Sequence, residues 1–354
     1  MGRTVTTVAL LSVILFGRTS SGQEMKAHFI DVGQAASTLL EFPCGAILID
    51  TGAQDDEHVD HLGEYLRDFF ARRPDLHNTL SALYISHPHL DHTRGVREVF
   101  RTCRVARYFD NGIVSGSGRA GPQFVRDGKQ AGTLNVELFE IHDSDITALS
   151  ERDGLTDDDI DPCKCAKCDP SIRILSGGME ENPGWTDGEW DNLNNHSLVL
   201  RVDFGKASFL FTGDLEEPAI ETLVEWYQDT DMLDVDVYLV GHHGSGNGTT
   251  SSLVNAMTPE LAVLGVGSSS FGKGKKRGFN TYSFGHPRRS VIDLLSASIP
   301  NKRSKAVDVD VADAARRFSE YHVTKRIYAT GWDGDVVVSA KLDGTTRVTR
   351  GSSE

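Results

Sequence analysis

The stretch Ser86-His87-Pro88-His89-Leu90-Asp91-His92 decides how this 354-residue chain is interpreted, because it places three histidines and one aspartate within six residues. The apolar segment Ala82 to Ser86 leads into it and has the pattern of a buried strand. A strand followed by a tight turn can direct His87 and His89 toward one point, and Asp91 and His92 toward a second point nearby. Imidazole and carboxylate groups are ligands for zinc, manganese and iron. The spacing therefore predicts a two-metal site rather than a solvated histidine loop.

Short apolar or alternating segments recur on both sides of this motif, separated by Gly, Asp or Pro. Strands are predicted at Ala27 to Asp31, Thr38 to Phe42, Ala46 to Asp50, Ala82 to Ser86, Ser197 to Val202, Ser208 to Thr212, Val237 to Val240 and Leu261 to Val266, with a late hairpin of Val336 to Lys341 and Thr346 to Val348. Helices are predicted at 59–70, Pro218 to Tyr227, Pro287 to Ala297 and Asp310 to His322. This order predicts an α/β fold in which layered sheets are flanked by helices.

The composition is globular, with 39% hydrophobic and 25% charged residues, and the formal net charge of −15 argues against a protein that coats nucleic acid. One stretch departs from that acidity, because residues 265–290 contain six cationic side chains and no acid. We expect Lys273, Lys275, Lys276 and Arg277 to bind a backbone phosphate of the substrate. The alternative is an ordinary solvated run of charge.

The first 22 residues have the pattern of a secretory signal peptide, with Arg3 before an apolar run from Val8 to Phe16 and small residues up to Gly22. This run of nine residues, which includes the polar Ser12, is too short to span a bilayer, so we expect no stable membrane insertion. The sequence therefore predicts a secreted or periplasmic protein whose single hydrolase domain covers residues 23–350.

Residues 143–192 are rich in Asp, Gly, Glu and Trp and show little periodicity, so we predict an insertion or lid. The segment contains Cys163, Cys165 and Cys168 in a C-x-C-x2-C cluster. Such a cluster forms either a structural metal site with a fourth ligand from elsewhere, or a loop closed by disulfides. The sequence leaves both alternatives open.

The H-x-H-x-D-H motif resembles the hallmark of the metallo-β-lactamase superfamily, which implies an αββα sandwich of two mixed β-sheets flanked by helices. Leu48 to Gly52 resembles the first motif of that family, in which Asp50 orients the metal loop. Phe211 to Asp214 resembles the motif whose aspartate bridges both metals, and Val240 to Ser245 resembles the last metal-binding motif. In the last motif we expect His242 to be the ligand, with His243 as the alternative.

A narrower resemblance is to the lactamase-like domain of the ComEC competence proteins. It is based on Phe29 to Gln34, Asn194 to Arg201, Phe209 to Asp214, His242 to Ser245 and Phe284 to Pro287. The family's Gly-Gln-Gly-Asp turn reads Gly-Gln-Ala-Ala at Gly33 to Ala36, and this sequence contains no counterpart of the multi-span membrane channel. The third ligand motif of the wider superfamily is also absent. His196 is near that place and is a candidate ligand, with a surface histidine as the alternative.

The resemblance implies two divalent metal ions, zinc first and manganese or iron as alternatives, and hydrolysis by a metal-bridging hydroxide. The ComEC-like motifs imply a nuclease or phosphodiesterase that acts on DNA or related phosphodiesters, with Asp91, Asp50 and His286 in the catalytic machinery. His286 is expected to donate a proton or a hydrogen bond to a phosphoryl oxygen. The alternatives are a phosphorylcholine-type esterase, a lactonase, a β-lactamase, or a metal-stabilised binding module without turnover. No obligate protein partner is inferred.

Overall fold

The computed structural model describes residues 23–149, 152–270, 273 and 278–351, and the predicted signal peptide lies outside these ranges. The strands are, in chain order, β1 (Glu24–Phe29), β2 (Thr38–Glu41), β3 (Ala46–Ile49), β4 (Thr79–Leu80), β5 (Ala82–Tyr84), β6 (Arg104–Val105), β7 (Arg107–Asp110), β8 (Glu137–Glu140), β9 (Ser171–Ser176), β10 (Val199–Phe204), β11 (Ala207–Phe211), β12 (Val237–Leu239), β13 (Leu261–Leu264), β14 (Lys302–Ala314), β15 (Arg317–Lys325), β16 (Ile327–Ala329), β17 (Val336–Lys341) and β18 (Thr346–Arg350).

The helices are α1 (Asp56–Arg72), α2 (Leu90–Thr93), α3 (Val96–Thr102), α4 (Ala120–Gln130), α5 (Asp143–Thr147), α6 (Asp187–Trp190), α7 (Glu217–Trp226), α8 (Ser251–Met257), α9 (Thr281–Phe284), α10 (Arg289–Ser298) and α11 (Thr330–Asp333). Short 3-10 turns lie at Pro74–Leu76, Leu193–His196 and Gly241–Gly244. None of the helices in the described ranges is long and apolar enough to cross a bilayer.

Two large sheets pack face to face. The first has the order β18-β17-β1-β2-β3-β5-β7-β8 and the second β16-β13-β12-β11-β10-β9. Each sheet is mixed, because β3, β5, β7 and β8 run parallel beside antiparallel neighbours, as do β11, β12, β13 and β16. The inner faces share one apolar core, in which the rings of Phe29 and Phe211 lie 6.5 Å apart.

Helices cover both outer faces. The first sheet packs on α1 and α3 through Leu62, Leu66 and Val99, and the second on α7 and α10 through Ile220 and Ile292. Each fully buried aliphatic side chain of this kind contributes about 1.5–3 kcal/mol relative to exposure. The predicted sandwich of two mixed sheets between helices is therefore confirmed.

The parallel strands bring the predicted motifs to one edge of the sandwich. Asp50 follows β3 and Ser86 follows β5 in the first sheet, while Asp214 follows β11 and Gly241 follows β12 in the second. The two edges are joined where the Leu198 amide donates to the Ser86 carbonyl at 2.8 Å. Residues far apart in sequence therefore meet at this edge, as is usual at the carboxyl ends of parallel strands.

The prediction of a helix at Asp310 to His322 is wrong, because these residues lie in the antiparallel hairpin of β14 and β15. Val309 and Val311 are buried on one face of this hairpin, whereas Asp310 between them is exposed. This period of two, with β-branched residues on the covered face, is typical of a strand. The run of Ala, Asp and Arg that follows favoured a helix only through intrinsic propensity.

The segment 143–192 contributes to the core rather than forming only a lid. Its residues 171–176 form β9, which pairs with β10 and buries Ile172 and Ile174 completely. Cys165 forms a disulfide with Cys44, which lies 121 positions earlier. The thiols of Cys103, Cys163 and Cys168 are free and buried in the described structure. The disulfide alternative is therefore the one seen, with a partner from outside the cluster.

Candidate metal centre

Asp50 fastens the histidine loop to the end of β3. Its carboxylate accepts hydrogen bonds from the Ser86 amide (2.8 Å), the Ser86 hydroxyl (2.9 Å) and His92 Nδ1 (2.7 Å). With Nδ1 held in this way, His92 directs Nε2 to within 3.1 Å of Asp214 Oδ1. Asp50 therefore orients the loop through its neighbours, which agrees with the role that the sequence predicts for it.

Two glycines permit the close backbone contacts that the site needs. A Cβ on Gly52 would lie 1.6 Å from the Asp91 carbonyl oxygen, so no side chain fits there. Gly213 has a φ of +53°, and its Cβ would lie within 2.9 Å of both Ser197 and Ser86. Gly52 therefore permits close contact with the Asp91 backbone, and Gly213, whose left-handed conformation also favours glycine, permits close contact with Ser86 and Ser197.

Four ligand atoms, one each from Asp91, His92, Asp214 and His243, lie within 4.8 Å of one another. His243 donates from Nδ1 to the Gly265 carbonyl at 2.8 Å, which leaves the lone pair on Nε2. Nε2 lies 3.4 Å from Asp91 Oδ2 and 3.6 Å from Asp214 Oδ2. The Nε2 atoms of His92 and His243 are buried and have no hydrogen-bond partner among the described residues. A divalent cation would satisfy both atoms, so these residues fit a metal site.

A second group of ligand atoms also lies near Asp214. His87 Nε2 lies 3.1 Å from His89 Nδ1 and 4.0 Å from Asp214 Oδ2. The opposite nitrogen of His87 contacts the hydroxyls of Ser86 (3.1 Å) and Ser197 (3.2 Å), which fix the ring. Asp214 thus lies between the two groups, and its carboxylate is placed to serve both.

The protonation of these groups suits cation binding. Burial, with His92 nearby, holds the pKa of His87 well below its usual value, so the ring is neutral. Burial raises the pKa of Asp91, but the neighbouring His243 and His92 together outweigh it and bring the pKa down to about 2. Asp214 is buried too, yet the charges of His92 and His243 hold its pKa well below the normal range. Metal ligands must be deprotonated, and His87 and both carboxylates already have that form. Although burial acts in the opposite direction, the neighbouring carboxylates raise the pKa values of His92 and His243, so a cation competes with protons for these two rings.

In the turn Gly241–Gly244, His243 rather than the expected His242 points into the ligand cluster. His242 and His243 both adopt left-handed backbone conformations, with φ of 49° and 53°. This conformation costs roughly 1–2 kcal/mol for a residue with a Cβ and is concentrated at functional sites. The ring of His243 consequently enters the cluster, whereas His242 Nε2 lies 3.8 Å from Asp214 Oδ2 and its Nδ1 lies 3.6 Å from Glu216 Oε1. The alternative, His243, therefore occupies the place predicted for His242.

The structure contradicts the predicted ligand role of His196. Its Nε2 lies 2.8 Å from the Trp190 carbonyl, and its Nδ1 accepts from the Met179 amide at 3.3 Å. The ring also packs edge-on against Trp190, with centroids 4.9 Å apart. Both nitrogens are occupied by backbone groups, so no lone pair remains for a metal.

His286 lies beside the cluster at the end of a directional hydrogen-bond chain. The Gly267 amide donates to the Thr281 hydroxyl (2.9 Å), which donates to Gln34 Oε1 (2.9 Å), and Gln34 Nε2 lies 3.0 Å from His286 Nδ1. The reversed Gln34 amide would leave the buried Thr281 hydroxyl proton without an acceptor. Nδ1 of His286 therefore accepts, and Nε2 carries the proton.

The surroundings keep His286 neutral. Burial lowers the pKa of His286 to about 3, and the nearby charges of His243 and His242 act in the same direction. Its ring centroid lies 5.8 Å from that of His242 at the margin of the cluster. The site thus contains a neutral imidazole that can donate one hydrogen bond. In the sequence, Gln34 stands out only as part of the motif Phe29 to Gln34, and no sequence pattern indicates a role for its partner Thr281.

The predicted phosphate-binding residues are mostly outside the described ranges. Three of them, Lys275, Lys276 and Arg277, lie outside the described ranges. The fourth, Lys273, is described and exposed. Of the neighbouring cations, Arg289 pairs with Asp313 at 2.9 Å, and Arg288 donates to the Phe284 carbonyl at 3.3 Å near His286. Phosphate binding by the four predicted residues stays a prediction.

Comparison with known families agrees with this geometry. The family model described as the metallo-beta-lactamase superfamily matches residues 30–267, which include all the ligand atoms described above. The chain belongs to the metallo-β-lactamase superfamily. Members of this superfamily are metal-dependent hydrolases that typically bind two metal ions.

Within the metallo-β-lactamase superfamily, the chain is similar to competence proteins. It is 24% identical over 294 residues to ComE operon protein 3 of Bacillus subtilis (strain 168), which covers 80% of this chain and 32% of that protein. It is 42% identical over 74 residues to competence protein ComA of Neisseria gonorrhoeae, covering 21% of this chain and 10% of that protein. The chain therefore spans about a third or less of the length of these relatives.

Among solved structures, the chain is similar to the metallo-beta-lactamase fold protein YhfI of Bacillus subtilis. The TM-score is 0.38 and the identity 12%, over 69% of this chain and 86% of that one.

Proposed function

We propose that this superfamily member is an exported phosphodiesterase that hydrolyses DNA or related phosphodiesters. The observation that carries the proposal is the neutral His286 donor at the margin of a ligand cluster divided by Asp214. A phosphodiester has two non-bridging oxygens that share one negative charge, so cations could neutralise one oxygen while a fixed N–H stabilises the other. The similarity to competence proteins, over most of this chain in one case, also supports a nucleic acid substrate.

Two cations at this site would lower the pKa of water and neutralise charge on the phosphoryl group. His87, His89 and Asp214 would hold one of them, and Asp91, His92, Asp214 and His243 the other. Asp50 keeps His92 in position, while His286 donates from Nε2 to a non-bridging oxygen of the substrate. Because Gln34 fixes the tautomer of His286 beforehand, no reorganisation is needed when charge develops on that oxygen.

The proposed substrate class is tested by assaying the metal-loaded protein against three substrates side by side. We expect turnover of bis-p-nitrophenyl phosphate and of a single-stranded oligonucleotide, no turnover of the β-lactam nitrocefin, and loss of activity when a chelator removes the metal. The matched control is the protein reloaded with metal after chelation, which should recover its activity. Hydrolysis of nitrocefin alone would contradict the proposal and favour a β-lactamase.

The exported location rests on residues 1–22. Expression of the full chain with an affinity tag at its carboxyl end, followed by amino-terminal sequencing of the protein outside the cytoplasm, tests it. A mature amino terminus near Gln23 is expected, and an uncleaved chain retained in the cytoplasm would overturn it.

A further inference from the structure

The His87 half of the centre has fewer protein ligands than the His243 half. His87, His89 and Asp214 supply one donor atom each, whereas the other half gathers four. His196, the residue expected to add a third nitrogen, is bonded to backbone groups instead. Three protein donors and a water complete a tetrahedral zinc site, whereas a harder cation such as manganese takes six donors, so a further protein oxygen here would favour a hard cation.

Asn194 has an unused oxygen close to this half of the centre. The residue is only 7% exposed, and its Oδ1 is buried without a hydrogen-bond partner among the residues that the structure describes. Its Nδ2 donates to Glu216 Oε1 at 2.9 Å. A carboxylate only accepts hydrogen bonds, so the amide cannot be reversed and Oδ1 must face away from Glu216. Unsatisfied buried oxygens are rare in native proteins, and each one requires an explanation.

Two contacts tie Asn194 to the histidine pair. Its side chain contacts the ring of His89. Its backbone carbonyl accepts from the Ser197 hydroxyl at 2.8 Å, and the same hydroxyl lies 3.2 Å from His87 Nδ1. The turn Leu193–His196, which carries Asn194, is capped by the side chain of Asn192. Asn194 is therefore held on a fixed turn beside both histidines.

We infer that Asn194 Oδ1 is the further protein ligand of the cation held by His87, His89 and Asp214, in the place where other superfamily members use a histidine. The inference rests on the chain binding two cations as its superfamily does. The hydrogen bond from Nδ2 to Glu216 increases the negative charge on Oδ1 and so strengthens it as a donor.

An amide oxygen is a harder ligand than an imidazole nitrogen. Replacing one nitrogen by an oxygen shifts the preference of the site away from zinc and toward manganese or a similar hard divalent cation. Asn194 would thus determine which metal this half of the centre selects, while the His243 half keeps its own preference.

The test measures metal binding directly, so it does not depend on the substrate. The full chain is titrated with Mn²⁺ and with Zn²⁺, and bound metal is counted by mass spectrometry and followed by electron paramagnetic resonance. We expect the native protein to bind two Mn²⁺ with a spin-coupled signal. Asn194→Ala should bind one Mn²⁺ tightly and the second at least tenfold more weakly, and should lose the coupled signal. Asn194→His should bind two ions again but with the preference shifted toward Zn²⁺.

The neighbour Asn195 provides the matched control. It lies in the same turn, but its Nδ2 donates to the Glu189 carbonyl at 2.8 Å and its Oδ1 accepts from the Glu216 amide at 3.2 Å, so it has no oxygen to offer. Asn195→Ala should still bind two Mn²⁺. Unchanged affinity in Asn194→Ala, equal losses in both alanine variants, or a native protein that binds only one ion would overturn the assignment. A native protein that binds two ions but cleaves no phosphodiester would leave the assignment standing and overturn the proposed function.

Discussion

Substitution of Asp214 by asparagine is expected to reduce phosphodiester turnover by roughly a thousandfold or more and to remove at least one bound metal ion. The variant keeps the shape of the side chain but removes the charge that faces His92 at 3.1 Å and His243 at 3.6 Å. Because Asp214 lies between both groups of ligands, its loss affects both cations. Metal counting by mass spectrometry, together with hydrolysis of bis-p-nitrophenyl phosphate, measures the two effects.

Asp203→Asn is the matched control for this charge removal. Asp203 lies on β10 and pairs with Arg201 at 2.9 Å, and no candidate ligand histidine makes an ion pair with it in the described structure. This variant should retain both ions and nearly full turnover. An Asp214→Asn protein that keeps two ions and native activity would show that this carboxylate does not bridge the centre.

Substitution of His286 by alanine is expected to lower kcat by about 100- to 1,000-fold while both metal ions remain bound, the loss typical when one fixed donor to a developing oxyanion is removed. The ring reaches the site through Nε2, and its Nδ1 is occupied by Gln34 at 3.0 Å. Steady-state kinetics and metal counting on the same preparation separate the two effects. Loss of metal instead would make His286 a ligand and contradict its role as a donor.

The variant Gln34→Leu tests whether turnover requires the fixed orientation of the His286 ring or only its presence. The variant keeps His286 but removes the amide that fixes its tautomer, so kcat should fall by about tenfold with little change in KM. The ¹⁵N spectrum of labelled protein should show the Nε2–H tautomer in the native chain and a mixture in the variant. The control His322→Ala removes an exposed histidine on the β14–β15 hairpin. It should change neither kcat nor the tautomer of His286.

Local spacing and apolar pattern were sufficient to predict the histidine loop and layered sheets flanked by helices, while the αββα sandwich was implied by the family resemblance. His87, His89, Asp91 and His92 follow directly from a strand, so the chain has few ways to place them other than on one turn. Asp50 and Asp214 were predicted from the resemblance of their motifs to those of the metallo-β-lactamase superfamily. In the structure both follow strands, and they reach the same edge because the strands of each half run parallel.

The remaining site residues depend on backbone conformations and partners that spacing does not encode. Two consecutive left-handed residues rotate His243 inward in place of His242, and nothing in Val240 to Ser245 indicates this. Hydrogen bonds with the Trp190 and Met179 backbones occupy both ring nitrogens of His196 and prevent metal binding. Trp190 and Met179 lie in a segment without clear periodicity. Asn194 is distinguished only by an oxygen that finds no partner after folding. Such features are visible only when tertiary contacts are known.

The net charge of −15 does not oppose the proposed substrate. Two divalent ions would add four positive charges at the edge where Asp91 and Asp214 lie, and the formal count leaves these out. The acidic chain is therefore unsuited to coating DNA, while a local site for a single phosphodiester remains compatible with it.

The most direct test of the central claim is a metal titration of the chelated protein with hydrolysis of a phosphodiester as the readout. Bound metal and the rate on bis-p-nitrophenyl phosphate are measured at each addition of Mn²⁺ or Zn²⁺. We predict that activity is absent without metal, rises with the second equivalent and then stays constant, and that His286→Ala binds the same two equivalents with little activity. A protein that binds two ions and hydrolyses no phosphodiester at any point of the titration would contradict the account.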